Sequence, residues 1–100
     1  LPPSCKECGG LIRPDVVWFG ESLPEKALNI AFQWAMTCDV FVSIGTSGVV
    51  YPAAELPFLA KRHGAKVIEI NPESTPISSI ADVIIREPAT IGVPKLLEVL

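Results

Sequence analysis

The chain has 100 residues, with 8 basic side chains against 11 acidic ones and a net charge of −3. That length allows one domain at most, and an apolar fraction of 49% with a mean hydropathy of +0.42 excludes a disordered chain. The mild acidity argues against a nucleic-acid backbone as partner, which would require clustered Lys and Arg.

Residues 1–23 read as loop, punctuated by Pro2, Pro3, Gly9, Gly10, Pro14 and Gly20. Within them Val16-Val17-Trp18-Phe19 is a short apolar extended run. Ser22-Leu23-Pro24-Glu25 has the pattern of a helix start, with Ser22 as cap and Pro24 early, where its missing N–H costs little. Ala27, Leu28, Ala31, Phe32, Ala35 and Met36 recur at helical spacing, which predicts a helix over 24–38 with Trp34 as a packing residue. Val40 to Ile44 predicts a buried parallel strand ending at Gly45. After the turn Gly45-Thr46-Ser47-Gly48 a second helix is expected up to His63, regular from about Pro57 and closed by Gly64. Lys66 to Ile70 predicts a second strand ending at Asn71-Pro72, and Asp82 to Ile85 a third. A last helix is expected over Pro94 to Leu100. The order helix, strand, helix, strand, strand, helix points to an α/β layer with a parallel sheet, its strand C-termini on one edge.

The longest uncharged run, Val40 to Ala54, has 15 residues, is broken by Gly45, Gly48 and Pro52, and is too short to span a bilayer. No basic segment followed by an apolar one opens the chain, so neither a signal peptide nor a membrane partner is expected, and the expected location is cytoplasmic. Residue 1 is Leu and the single methionine is Met36, which leads to the expectation of a truncated chain.

In open parallel sheets, ligands bind beyond the strand C-termini. Gly45-Thr46-Ser47-Gly48 occupies such a place: glycine permits close backbone approach, and the hydroxyls suit ribose or phosphate oxygens. It is not the G-x-G-x-x-G fingerprint, so an ordinary strand-to-helix turn stands beside the ligand reading. Asn71 ends the next strand, where dinucleotide folds place a ribose-holding residue, and a plain turn residue before Pro72 is its alternative. Cys5-Lys6-Glu7-Cys8-Gly9-Gly10 has the spacing of half a tetrahedral zinc site, the competing reading being a redox pair. Cys38 reads as a small buried hydrophobe, and His63 as a structural or surface residue at a helix end. No nucleophile–base–orienter set is visible, so no catalytic residue is assigned. The extended apolar run 16–19 could add as a strand to a bound peptide, or be an edge strand covered by other parts of the protein.

The run from Cys5 to Glu21, C-x-x-C-G-G-L-I-R-P-D-V-V-W-F-G-E, followed by Gly45-Thr46-Ser47 with Val50-Tyr51-Pro52-Ala53, and then Ile70-Asn71-Pro72, resembles the C-terminal part of a sirtuin, of the short type with desuccinylase members. The resemblance covers essentially the whole chain. It implies an NAD-dependent protein-lysine deacylase, in which a Rossmann-like domain binds NAD, a small zinc module packs over it, and the acyl group passes to ADP-ribose as nicotinamide leaves. Residues 1–23 would then be the end of the zinc module and the substrate-peptide loop, and 24–100 the C-terminal part of the NAD-binding domain. By position, the resemblance implies zinc ligands at Cys5 and Cys8. It implies peptide contacts at Val16, Val17, Phe19, Gly20 and Glu21, with the Val17 carbonyl receiving the lysine N–H. For NAD it implies Gly45, Thr46 and Ser47 at a ribose, Asn71, Pro72 and Glu73 at the adenosine ribose, and Ala89 at the adenine. The family's glycine-rich loop, catalytic histidine, first zinc pair, and acyl-selecting Tyr and Arg are not among these residues. The 100 residues alone are therefore expected to be inert, weak in zinc binding, and dependent on the missing N-terminal half. The implied partners are acyl-lysine proteins. The alternative from another class is a non-catalytic nucleotide- or ADP-ribose-binding module.

Overall fold

The structure, a computed structural model, describes residues 3–99. In chain order it contains α1 (Glu25–Thr37), β1 (Val40–Ile44), a 3-10 turn (Ala53–Glu55), α2 (Leu56–Arg62), β2 (Lys66–Ile70), a second 3-10 turn (Pro76–Ser79), β3 (Val83–Ile85) and α3 (Ala89–Glu98). The strands are β-branched runs, VFVSI, KVIEI and VII, which suit a pleated, packed surface. They form one parallel sheet in the order β1-β2-β3, Val40 opposite Lys66, Ile44 opposite Ile70, and Ile70 opposite Ile85. All three strands run the same way, so their C-terminal ends share one rim.

The core is built from small residues that let the helices approach. Ala35 of α1, Ala60 of α2 and Ala65 are buried together, with Cys38, Phe41, Leu56 and Leu59 packed around them. Cys38, expected to be buried, is half-buried against this cluster, its Sγ 3.5 Å from the Ala35 carbonyl. Val67, Ile70 and Ile77 are fully buried. Helix α3 meets the sheet through Gly92. A Cβ at that position would overlap Ile70 Cγ2 and lie 3.3 Å from Ile85 Cγ2. Gly92→Ala should therefore lower stability by about 1–3 kcal/mol through overpacking, although alanine is the better helix former by about 1 kcal/mol. A urea titration of the intact protein checks this, and an unchanged or raised midpoint would refute it.

Five expectations need correction. β1 is not a buried strand: Val40, Val42 and Ile44 are exposed and only Ser43 is buried, because β1 is an edge strand and the face that carries these alternate residues is uncovered among the described residues. Ser22 does not cap α1: Pro24 occupies the N-cap, with no side-chain cap bond. Trp34 does not pack. It is 71% exposed, because the packed stripe of α1 runs through half-buried Leu28, Ala31 and Phe32 and buried Ala35 and leaves position 34 outside it. The last helix begins at Ala89, five residues before Pro94. Pro88, extended at ψ 156, starts it, and the Pro88 carbonyl accepts from Gly92 N at 2.8 Å. Pro94 lies inside the helix, where it removes one hydrogen bond without ending it; Leu100, the expected end, lies outside the described residues. Asp82 is not in β3. Its carboxylate accepts from Val67 N at 2.8 Å and Lys61 Nζ at 2.7 Å, pinning the start of β2. Those two donors, Lys61 first, hold its carboxyl below the ordinary aspartate range.

Candidate functional site

The rim is tied together by backbone and amide bonds. Gly45, at φ +66, turns the chain out of β1 and donates its N–H to the Ile70 carbonyl at 2.9 Å. The positive φ is open to glycine and strained for other residues. Asn71 donates Nδ2 to the Thr46 carbonyl at 2.9 Å and accepts at Oδ1 from Glu73 N at 3.0 Å. Its own N–H donates to the Ile85 carbonyl at 3.0 Å. One residue thus touches the ends of all three strands. Gly48, buried at φ +71, donates to Thr46 Oγ1 at 3.2 Å, closing the first turn.

Asn71 is only 8% exposed, and both ends of its amide are engaged by protein. Its side chain joins the two loops rather than standing free towards a ligand. Thr46, Ser47 and Glu73 are exposed here, as is Pro72 between the loops. Ala89 opens α3, four residues past the end of β3. Beside the first turn is a hollow of about 260 Å³ lined by Ser43, Thr46, Gly48, Ala53, Pro57 and Ile77.

Beneath the second loop lies a polar cluster absent from the sequence-based expectations. Glu69 in β2 is 1% exposed. Its carboxylate accepts from Thr75 Oγ1, Ser78 Oγ and, at 3.1 Å, Arg86 Nη1. Burial pushes its carboxyl up, but Ser78, Thr75 and Arg86 together outweigh that and leave it below the ordinary glutamate range. Thr75 and Ser78 also form a capping box on the 3-10 turn that follows. Two signals for this cluster were present: one carboxylate inside an otherwise apolar strand, and Thr-Pro-x-Ser capping chemistry at 75–78.

The N-terminal residues form a separate pair of loops. Cys5 and Cys8 lie on a tight turn in which Cys5 N donates to the Gly10 carbonyl at 2.7 Å and Gly10 N reaches Cys8 Sγ at 3.4 Å. Backbone N–H groups of Cys8 and then Glu7 lower the Cys5 thiol pKa. Both cysteines lie on this turn and neither on a helix. Among the described residues no third His, Cys, Asp or Glu joins them in a ligand cluster.

Residues 13–21 are gathered by Arg13. Its guanidinium lies 3.9 Å from the Trp18 ring centroid, donates to Glu21 Oε1 at 2.9 Å and reaches the Val16 carbonyl at 3.1 Å. The run 16–19 pairs with no strand among the described residues, and Phe19 is 94% exposed. No hydrogen bond among the described residues uses the Val17 carbonyl. A cleft of about 510 Å³ separates residues 17–23 and Leu28 from residues 50–52. His63 sits at the C-cap of α2 with Nδ1 3.0 Å from the Leu59 carbonyl, away from both loops.

A three-stranded parallel sheet with flanking helices defines the class of Rossmann-like α/β layers. Residues 1–52 match the Sir2 family. The chain is 58% identical over 100 residues to an NAD-dependent protein deacylase of Aquifex aeolicus (strain VF5), covering 100% of this chain and 42% of that protein. It also superimposes on a Sir2 homologue solved in complex with NAD, with a TM-score of 0.84 at 45% identity, over 98% of this chain and 38% of that one. A structure of Sir2 bound to acetylated peptide matches with a TM-score of 0.81 at 37% identity, over 97% of this chain and 41% of that one. The chain belongs to the Sir2 family. It spans about two fifths of the length of the curated relatives it matches.

Proposed function

We propose that this chain is part of an NAD-dependent protein-lysine deacylase, which transfers an acyl group from lysine to ADP-ribose and releases nicotinamide. The observation that carries the reading is the Asn71–Thr46 bond, which fixes the turn after β1 and the turn after β2 side by side on one rim. Gly45, Thr46 and Ser47 then form one wall of the nucleotide site, and Asn71, Pro72 and Glu73 the other, with Ala89 beside the adenine. Asn71 holds the walls together, while Ser47 and Glu73 present hydroxyl and carboxylate to the ribose. Val16, Val17, Phe19, Gly20 and Glu21 clamp an extended acyl-lysine peptide by strand addition, an arrangement supported by the lack of a strand partner for this run among the described residues, the unused Val17 carbonyl and the cleft beside it. The proton transfers and the attack on the ribose carbon fall to groups outside these residues. The curated relatives are named NAD-dependent protein deacylases, which favours this reading over a passive nucleotide-binding module.

Cys5 and Cys8 are proposed as half of a tetrahedral zinc site, completed by two ligands from outside this chain. A bound zinc ion would fold the loop around it and supply no chemistry to the deacylation. Cys5→Ser in the intact protein should lower bound zinc well below one equivalent, by elemental analysis, together with the melting temperature. A fully loaded variant would remove the assignment. The function itself is tested on the intact protein by NAD-dependent nicotinamide release from acetyl- and succinyl-lysine peptides. Turnover is expected on at least one, and turnover on neither would overturn the reading.

A further inference from the structure

Apart from the bonds of Asn71, the second wall of the nucleotide site has little of its own to hold it. Residues 71–75 form no helix or strand, and Pro72, Glu73 and Ser74 are exposed. What crosses beneath them is one side chain. Arg86 follows the last residue of β3, and its Nη1 lies 2.8 Å from the Glu73 carbonyl and 3.2 Å from the Asn71 carbonyl. The same nitrogen is 3.1 Å from Glu69 Oε1, and Nη2 donates to Ser78 Oγ at 2.9 Å. The fork therefore gathers the backbone on both sides of Pro72 and ties it to a buried carboxylate in β2. A guanidinium suits this task, because its planar donors point in fixed directions and its charge persists at any working pH.

We infer that Arg86, anchored by Glu69, is a positioning residue that holds the 71–73 loop in the conformation that receives the nucleotide. The inference rests on the nucleotide-site reading above and deepens it. Arg86 acts on the ligand only through the loop. In that place Asn71 reaches Thr46, and the Glu73 carboxylate stands at the rim. Without the fork the loop samples other conformations, and nucleotide binding must then supply the cost of ordering it. The adenosine end is remote from the reacting bond, so the loss is one of uniform binding. It raises the KM for NAD and leaves kcat nearly unchanged.

The test uses the intact protein with Arg86→Ala and Arg86→Lys. Four quantities are read: the KM for NAD, the KM for acyl-peptide, kcat, and the Kd of ADP-ribose by calorimetry. Arg86→Ala is expected to raise the NAD KM and the ADP-ribose Kd about tenfold, equivalent to about 1.4 kcal/mol. The peptide KM and kcat should stay within about twofold. Arg86→Lys, which keeps the charge but loses the fork, should fall between Arg86→Ala and the natural protein, and it carries the test if the alanine variant fails to fold. Unchanged NAD KM and ADP-ribose Kd in a folded variant overturn the inference and leave the deacylase reading standing. A proportional loss in kcat and both KM values also overturns it, because that is the mark of general damage. If the natural protein binds ADP-ribose but turns over no acyl-peptide, the deacylase reading fails while the ADP-ribose Kd values still decide the role of Arg86. If the natural protein binds no ADP-ribose, both fall.

Discussion

Asn71→Ala should weaken ADP-ribose binding to the intact protein about a hundredfold, roughly 2.7 kcal/mol. The side chain is 8% exposed and holds two loops at once. Truncation leaves the Thr46 carbonyl and the Glu73 N–H, both in part-buried bonds, without their partners, and a group left unsatisfied out of reach of water costs about 1–3 kcal/mol. Part of that cost falls on folding and part on the shape of the site. Asn71→Asp separates the two bonds. Its Oδ1 still accepts from Glu73, but a carboxylate oxygen replaces the donor facing the Thr46 carbonyl, and two acceptors then oppose each other. The aspartate variant should therefore bind ADP-ribose nearly as poorly as the alanine variant, despite its matching shape. Calorimetry with both variants checks this. Near-normal affinity in Asn71→Asp would show that the Thr46 joint is dispensable.

Glu69→Ala should cost about 3 kcal/mol of stability, the lower end of what removing one member of a buried ion pair costs. The lower end applies because Arg86 is 37% exposed and can be rehydrated when its partner goes, whereas Glu69 is 1% exposed. The hydroxyls of Thr75 and Ser78 lose their acceptor in the same step, and the capping box between them loosens. The cluster also has a pH signature. The folded carboxyl titrates below the ordinary glutamate value of about 4.3, so its contribution is complete above that value. It is lost as the pH falls through the lower, folded value, where the native state must take up the proton it resisted. Glu69→Gln should flatten this acid limb of the stability curve, and an unchanged limb would remove Glu69 as its source. Urea midpoints of the intact protein from neutral to acid pH measure both effects.

Much of the fold was legible because strands and helices are specified over a few neighbouring residues. VFVSI and KVIEI fell at the expected bounds, since a β-branched run closed by glycine or asparagine has few other uses. The helix over 25–37 was equally clear from its apolar spacing. Where local signals conflicted, the reading went astray. Pro94 looked like a helix start, but Pro88 lies at a strand exit and had the better claim. Ser22 looked like a cap, but no cap bond from it forms. Trp34 looked like core by its size alone, and the packing of α1 against α2 left it outside.

For the site, the amino-acid sequence by itself determined which residues stand at the strand ends, because a strand's length and its terminating turn are local properties. It placed Gly45 and Asn71 there, and it marked Cys5 and Cys8 as a pair. Only the tertiary structure decided what those side chains spend their hydrogen bonds on. Asn71 meets Thr46 across 25 residues of chain, and Glu69 meets Arg86 across 17. Contacts at such separations exist only once parallel pairing has fixed the register of the sheet, and a buried polar group takes whichever partner that register brings within reach.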